Sequence, residues 1–209
     1  MPEPDRSALH RASRAASRGP SSSATRPVSR TSLDDLVALV LGRATAPGVV
    51  RPVVLVDGRS GSGKTTVGDA LAAAWPGEVQ LVHLDDVYPG WHGLEAASRV
   101  VERGLLDAER PGWTTWDWAA SAPGGHRTLD PAVPLVVEGA GCLTRRAAPL
   151  ASVSVWLELD AAERRRRALA RDGVGYEPWW DVWAEQEARH LQREDPVALA
   201  DVVAEVVGP

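Results

Sequence analysis

A three-layer α/β domain, with a parallel sheet covered by helices on both faces, is the fold predicted for residues 33–209, and three observations predict it. Short Val/Leu-rich runs alternate with helical patterns along the chain. None of the runs alternates apolar with polar residues cleanly, as expected of strands whose two faces are both covered. The strand-then-helix pitch is that of a parallel sheet with helical crossovers. Five runs qualify as strands: 53-VVLVD-57, 79-VQLVHLD-85, 134-PLVVE-138, 153-VSVWLEL-159 and 201-DVVAEVV-207.

Residues 1–32 differ from the rest. They carry Arg6, Arg11, Arg14, Arg18, Arg26 and Arg30 against Glu3 and Asp5, with many Ser, Ala and Pro and no apolar periodicity. Such a segment cannot bury enough surface to offset its ordering entropy, so it reads as a disordered leader. A transit peptide shares this composition, and a basic arm could touch nucleic acid. At Ser32 the pattern changes: Ser32 and Asp35 form an S-x-x-D capping box ahead of Leu33, Leu36, Val37, Val40 and Leu41 at helical spacing. Further helical patterns run through Val67, Ala70, Leu71 and Ala74; through Leu94, Ala97, Val101 and Leu105; through 161-AAERRRRALARD-172; and over roughly 178–193.

Composition narrows the function. The 209 residues are 44% hydrophobic with a net charge of −5, which suits one soluble domain and gives no overall basic field to recruit nucleic acid. One cysteine, Cys142, leaves no internal disulfide and suits a reducing cytoplasm. No apolar run approaches the roughly 20 residues of a membrane span. The sequence therefore predicts a soluble cytoplasmic protein with neither a membrane nor a nucleic-acid partner, and leaves the oligomeric state open.

Lys64 is the only lysine in a chain that otherwise uses arginine, and it sits in G-R-S-G-S-G-K-T, Gly58 to Thr65. This matches G-x-x-x-x-G-K-[ST] in the required context, after an apolar strand and before an amphipathic helix. Gly58, Gly61 and Gly63 allow the backbone to wrap closely, so that N–H groups from Ser60 through Ser62 to Thr66 and the helix N-terminus face phosphate oxygens. Lys64 would bridge the β- and γ-phosphates of ATP, and Thr65 would offer its hydroxyl to Mg²⁺. A planar guanidinium is too bulky for that closed loop, which explains why one lysine was kept. Guanine-reading switches need an N-K-x-D motif, and this chain has no Asn. ABC- and AAA-type ATPases need a strand ending in Asp-Glu, whereas 135-LVVEG-139 has one acid.

The pieces 57-DGRSGSGKTT-66, 84-LDDVYPGW-91, 116-WDW-118, 136-VVEGAG-141 and 160-DAAERRRRALARDG-173 occur in the order of the uridine kinase-like group of P-loop kinases. Over residues 33–209 the chain resembles that group, above all its compact bacterial members. The resemblance implies a P-loop NTPase fold with a five-stranded sheet and a short arginine-bearing lid, and an ATP- and Mg²⁺-dependent transfer to a hydroxyl of a nucleoside-like or other small acceptor. It implies that Asp85 takes the proton of the attacking hydroxyl and lies near Mg²⁺, with Asp86 as the competing choice and a turn cap as the plain one. Glu138 would hold the metal or its water shell, or else cap 139-GAGCL-143. Arg164, Arg167 and Arg171 share a helical face at i, i+3 and i+7, either as lid residues closing on ATP or as a solvated stripe; Arg171 in R-D-G is the best single match.

The acceptor region between the second and third strands holds Tyr88, Trp91, His92, Trp113, Trp116, Asp117 and Trp118. Tyr88 and Trp116 offer flat faces to a ring and Asp117 could accept from a hydroxyl, although with no Phe in the chain Trp must also serve as the large core residue. Trp116-Asp117 takes the place of a Tyr-Asp pair in the group, but the His-Ser-Arg that follows it there is missing, as is an Asp-His-Pro segment, so a nucleoside acceptor does not follow. His83, His126 and His190 have no metal-ligand spacing and receive no role. Trp179, Trp180 and Trp183 are expected to pack a late helix against the lid base. A nucleoside monophosphate or sugar-type kinase is the rival enzyme, and a nucleotide-binding regulatory module with little catalysis is the rival of another class.

Overall fold

The computed structural model describes residues 27–207. Residues 1–26, most of the expected leader, lie outside them. In chain order the main elements are β1 (Ser29–Thr31), α1 (Leu33–Ala44), β2 (Val53–Gly58), α2 (Lys64–Ala73), β3 (Gln80–His83), α3 (Leu94–Val100), β4 (Gly112–Asp117), β5 (Ala122–Thr128), β6 (Leu135–Glu138), β7 (Val153–Leu157), α4 (Ala161–Asp172), α5 (Trp180–Glu194), α6 (Pro196–Leu199) and β8 (Val202–Val206). None of the described helices is long and apolar enough to cross a membrane.

Six strands form one sheet in the order β1-β8-β7-β2-β6-β3, with every neighbouring pair parallel. The five expected strands are all present, and the sixth corrects the expected count. It falls at Ser29–Thr31, inside the segment read as leader, where Ser29 pairs with Ala204 and Thr31 with Val206. A three-residue polar edge strand carries no hydrophobic pattern, so periodicity could not reveal it. The hairpin β4-β5 is a second, antiparallel sheet that no alternating apolar pattern announced: β5 reads APGGHRT and is exposed along most of its length.

The two sheet faces explain the unbroken apolar runs. Along β2, Val54 and Val56 join one core with Leu36, Val37 and Val40 of α1 and Val67 and Leu71 of α2. Val53 and Leu55 join the other with Leu94 and Ala97 of α3 and Trp183 of α5. Both sides of each central strand are thus buried, and truncating Leu55, with no exposed surface, to Ala would cost about 2–5 kcal/mol.

Local signals set the helix ends. Ser32 Oγ accepts from Asp35 N at 3.1 Å, as the S-x-x-D spacing predicts, and Asp160 Oδ1 accepts from Ala162 N and Glu163 N at the start of α4. The apolar spacing through Leu105 holds, but past Val100 the helix widens into a π-turn over Val101–Leu105.

The sheet order also places the site. After β2 the chain leaves through α2 on one face, while after β6 it turns into the other face, where Cys142, Leu143 and Ala147 are buried. Connections that diverge from adjacent parallel strands leave a crevice at their carboxyl ends. Gly58 and Glu138 end the two strands that flank it.

Candidate active site

The crevice opens into a cavity of about 580 Å³, large enough for a nucleotide and a small acceptor. At one end lies the loop between β2 and α2. Ser60, Gly61, Lys64 and Thr65 line the cavity. Gly61 has φ +80°, and a Cβ there would strike the carbonyl of Arg164, so only glycine fits. Lys64 folds back over the loop, its Nζ donating to Arg59 O at 3.2 Å. Gly58, Ser62, Gly63 and Thr66 do not line the cavity: the first two are buried behind the loop, Gly63 turns into α2 with a left-handed φ, and Thr66 is exposed on α2.

Buried carboxylates brace the loop from behind. Asp57, 1% exposed, accepts from Gly58 N at 2.7 Å and Gly141 N at 3.0 Å through Oδ1, and from Leu143 N at 2.8 Å through Oδ2. One side chain therefore ties the start of the loop to the turn after β6. His190 Nε2 lies 3.5 Å from Asp57 Oδ2, at the limit of a hydrogen bond, and neither ring nitrogen makes one. Glu187, 2% exposed on α5, accepts from Ser60 N at 2.5 Å and from Arg59 Nε at 3.0 Å.

Glu138, at the end of β6, faces the start of α2. Its Oε1 accepts from Thr65 Oγ1 at 3.1 Å and lies 2.8 Å from His83 Nδ1. Its β-carbon side fills the space beside Gly68, where an added Cβ would lie 2.9 Å from Glu138 Cγ. The hydrogen bond to Glu138 is the main cause that raises the His83 pKa; burial opposes it, and the charges of Glu138, Asp69 and Asp86 add to the rise. Thr65 and Glu138 form a small oxygen donor set, and no three His, Cys, Asp or Glu side chains converge on a metal site among the described residues. That set fits Mg²⁺, which keeps much of its water and binds through few protein oxygens.

Asp85 lies not on β3 itself but two residues past it, in a 3₁₀ turn over Leu84–Asp86. The turn aims Asp85 into the cavity, and Asp86 is not among the lining residues. Asp85 is accessible to solvent on the cavity side while protein surrounds it elsewhere. Burial, then the charge of Glu138, raise its pKa, with Lys64 and Arg171 pulling against them. Gly139 allows this approach of β6 to the turn: its φ is +148°, and a Cβ added there would collide with Leu84.

The other end of the cavity is aromatic. Tyr88, Trp91, Trp118, Tyr176 and Trp183 line it, from the loop after β3, the hairpin turn and the chain from the end of α4 into the first turn of α5. Trp91 stacks on Tyr176 (5.4 Å between centroids) and on Trp179 (5.6 Å), and meets Trp118 at 4.8 Å. Tyr88 is 2% exposed, packs edge-on to Trp183 and donates to Ala140 O at 2.9 Å. Burial pushes its pKa well up, so it stands as a neutral phenol in the cavity floor. Arg171 and Asp172 reach the cavity as a pair, two nitrogens of the guanidinium donating to the carboxylate at 2.8 and 2.7 Å.

Besides Gly58, Ser62, Gly63 and Thr66, four more expected site residues lie outside the cavity lining. Arg164 is buried, its Nε donating to Leu159 O and its Nη1 to Ser60 O, so it supports the loop from behind and does not close over ATP. Arg167 is exposed and donates to Glu163 Oε1 at 2.7 Å on the far surface of α4. A helix of 12 residues leaning on the loop points i and i+3 positions to different surroundings. Asp117 is occupied as a turn cap, accepting from Ala119 N and Ala120 N. Trp116, half-buried, packs near Gly90 outside the cavity, and Trp118 takes its place at the wall, its Nε1 donating to Asp85 O at 2.8 Å. Sequence reasoning missed His83, Asp57, Glu187, Tyr176 and this role of Trp118. Only Asp57 had a local signal, as an acid at the end of an apolar strand.

No protein-family model matches the chain, and no curated protein sequence does. Solved structures match it over most of its length. A Bacillus stearothermophilus protein described as a possible uridine kinase superposes with a TM-score of 0.57 at 22% identity, covering 82% of this chain and 96% of that one. A Silicibacter sp. TM1040 protein described provisionally as a fructose transport system kinase superposes with a TM-score of 0.51 at 21% identity, covering 86% and 100%. The chain thus has the three-layer P-loop α/β fold. Its likeness to these two kinase structures is one of architecture.

Proposed function

We propose that this chain is an ATP- and Mg²⁺-dependent phosphotransferase that moves the γ-phosphate of ATP to a hydroxyl of a small ring-bearing acceptor. One observation carries the reading: Lys64 and Thr65 of the phosphate loop, the carboxylate of Asp85 and an aromatic wall all face one cavity. A binding module needs the loop alone. A carboxylate aimed across the cavity from it suits a transfer reaction.

In this reading the phosphates lie along the loop, with Lys64 neutralising the transferring group and Arg171 approaching from α4. Thr65 and Glu138 would hold Mg²⁺, which when bound supplies charge neutralisation between the phosphates. His83 keeps Glu138 oriented by its 2.8 Å contact. The acceptor ring lies against Trp91 and Trp118 and turns one hydroxyl toward Asp85. The bond from that oxygen to the γ-phosphorus forms as the bond to ADP breaks, and the proton passes to Asp85. The raised pKa of Asp85 makes its carboxylate a stronger base than an ordinary aspartate.

A hydroxyl acceptor is favoured over a phosphate one. The basic side chains lining the cavity are Lys64, committed to the loop, and Arg171, paired with Asp172. Neither is free at the aromatic end to hold a second phosphate. The names given to the two structural relatives suggest the first acceptors to try, uridine and fructose. Release of ADP from Mg·ATP should accelerate with one member of a panel of nucleosides, sugars and related alcohols. ATP binding with no acceptor-dependent turnover across the panel would favour the regulatory module.

A further inference from the structure

Ser60 is held by all of its polar atoms, and each tie comes from the C-terminal third of the chain. Its N–H donates to Glu187 of α5, its carbonyl accepts from Arg164 Nη1 of α4 at 3.3 Å, and its Oγ accepts from the Tyr176 hydroxyl at 2.9 Å. Glu187 and Arg164 act behind the loop. Tyr176 differs, because it reaches Ser60 from within the cavity and also stacks face to face on Trp91 of the acceptor wall. Tyr176 is 4% exposed, so it has little freedom to move without moving both neighbours.

We propose that Tyr176 is a positioning residue that couples the phosphate loop to the acceptor wall. Nucleotide settling on the loop is felt at Trp91 through Ser60 and Tyr176, and a ring pressed on Trp91 is felt at the loop by the same path. By reciprocity, nucleotide and acceptor then raise each other's affinity, typically by 5- to 150-fold in coupled sites. Transfer is thereby favoured over hydrolysis of ATP alone, because the loop takes its final position when the wall is occupied. The inference rests on the kinase reading, since it assumes that the loop binds nucleotide.

The test uses the full chain, the non-hydrolysable β,γ-imido analogue of ATP with Mg²⁺, and two readouts: calorimetric affinity and tryptophan fluorescence. Comparing each protein with its Trp91→Phe counterpart isolates the Trp91 signal among the nine tryptophans. Binding to wild-type protein should change the Trp91 signal. Tyr176→Phe keeps the stacked ring and deletes one hydrogen bond; it should weaken the analogue roughly 2- to 10-fold and remove the Trp91 response. Ser60→Ala, which deletes the same bond from the other side, should do likewise, and the double variant should lose no more than either single one. A Trp91 response that survives in Tyr176→Phe, or losses from the two substitutions that add, would overturn the coupling while leaving the kinase reading intact. An analogue that does not bind wild-type protein at all would overturn both.

Discussion

The two ends of the cavity are built in opposite ways. At the phosphate end, backbone amides and buried charges are each tied to fixed partners: Asp57 holds three N–H groups, Glu187 holds Ser60 and Arg59, and Glu138 holds Thr65 and His83. At the acceptor end, rings from three separate segments lean on one another, joined to the backbone by a few bonds such as Trp118 Nε1 to Asp85 O and Gln186 Nε2 to Trp91 O at 2.7 Å. Hydrogen bonds demand geometry, whereas stacked rings tolerate sliding. In the proposed reading, the first end is preorganised for the nucleotide, and the second is the end that could be refitted to a different acceptor by changing a few aromatic residues.

The largest effect should come from the residue between the two ends. Asp85→Asn keeps size and hydrogen bonding but removes the base, so acceptor-dependent kcat should fall about 10²- to 10⁴-fold with ATP affinity little changed. Because the Asp85 pKa is raised above the usual 3.8, the carboxylate is lost sooner on acidification, and the acid limb of the rate profile should lie above the range of a free aspartate. The sign for stability runs the other way. A folded pKa above the unfolded one means that the charged form strains the fold at neutral pH, so Asp85→Asn should melt slightly higher than wild type near pH 7. If Asp86→Asn is crippling and Asp85→Asn harmless, the base lies outside the cavity lining and the contrast between the ends loses its pivot.

Next in size is Lys64→Arg. The charge is kept but the guanidinium cannot occupy the closed loop, and kcat should drop about 10²- to 10³-fold, as on loss of a preorganised donor, with the melting temperature nearly unchanged. Near wild-type turnover would show that the phosphate end is less strict than its geometry implies.

These differences in construction also decide what can be read from the sequence. The phosphate loop is contiguous, so Gly58 to Thr65 declares itself in eight letters, and the strands declare themselves because burial on both faces leaves unbroken apolar runs. Glu138 follows from a strand end, and Asp85 from the end of an apolar run that stops as a strand at His83 and carries Asp85 in the 3₁₀ turn beyond it. The acceptor wall is assembled over nearly a hundred residues from Tyr88 to Trp183, and in a chain without Phe no tryptophan reveals whether it lines a site or a core. Trp116 and Trp118 differ by two residues on the hairpin, yet the turn held by Asp117 sends one away from the cavity and the other to its wall. The same limit applies to Arg164: periodicity gives its face of α4, but what that face meets depends on how the helix docks on the loop. Glu187 and His83 gain their roles only across 127 and 55 residues of chain.

A third substitution probes the bracing behind the loop. In Glu187→Gln the amide can still accept from Ser60 N, but its NH₂ group would face the Arg59 guanidinium, donor against donor. A hydrogen bond to a charged partner is lost from a buried site, at a cost of about 2–3 kcal/mol, which denaturant titration would measure. ATP affinity should weaken alongside it because the loop loses its tie to α5. A variant with unchanged stability would mean that the brace is redundant with Arg164.

The smallest effect is expected at the acceptor wall, from Trp118→Ala. At 37% exposure the ring still keeps most of its surface covered, so the fold should lose about 2 kcal/mol. What it loses is one face of the acceptor end and the bond from Nε1 to the backbone of Asp85. With the acceptor identified, its KM should rise about tenfold, in line with the 1–3 kcal/mol of aromatic stacking on a ring, while the KM for ATP stays near wild type. Trp118→Phe separates the two contributions, since it keeps an aromatic face and gives up the hydrogen bond. If Phe restores the acceptor KM but not kcat, the ring binds and the Nε1 bond aligns Asp85. If both variants instead weaken ATP and acceptor equally, the hairpin turn serves the whole cavity, and the division into a strict phosphate end and an adaptable acceptor end fails at this residue.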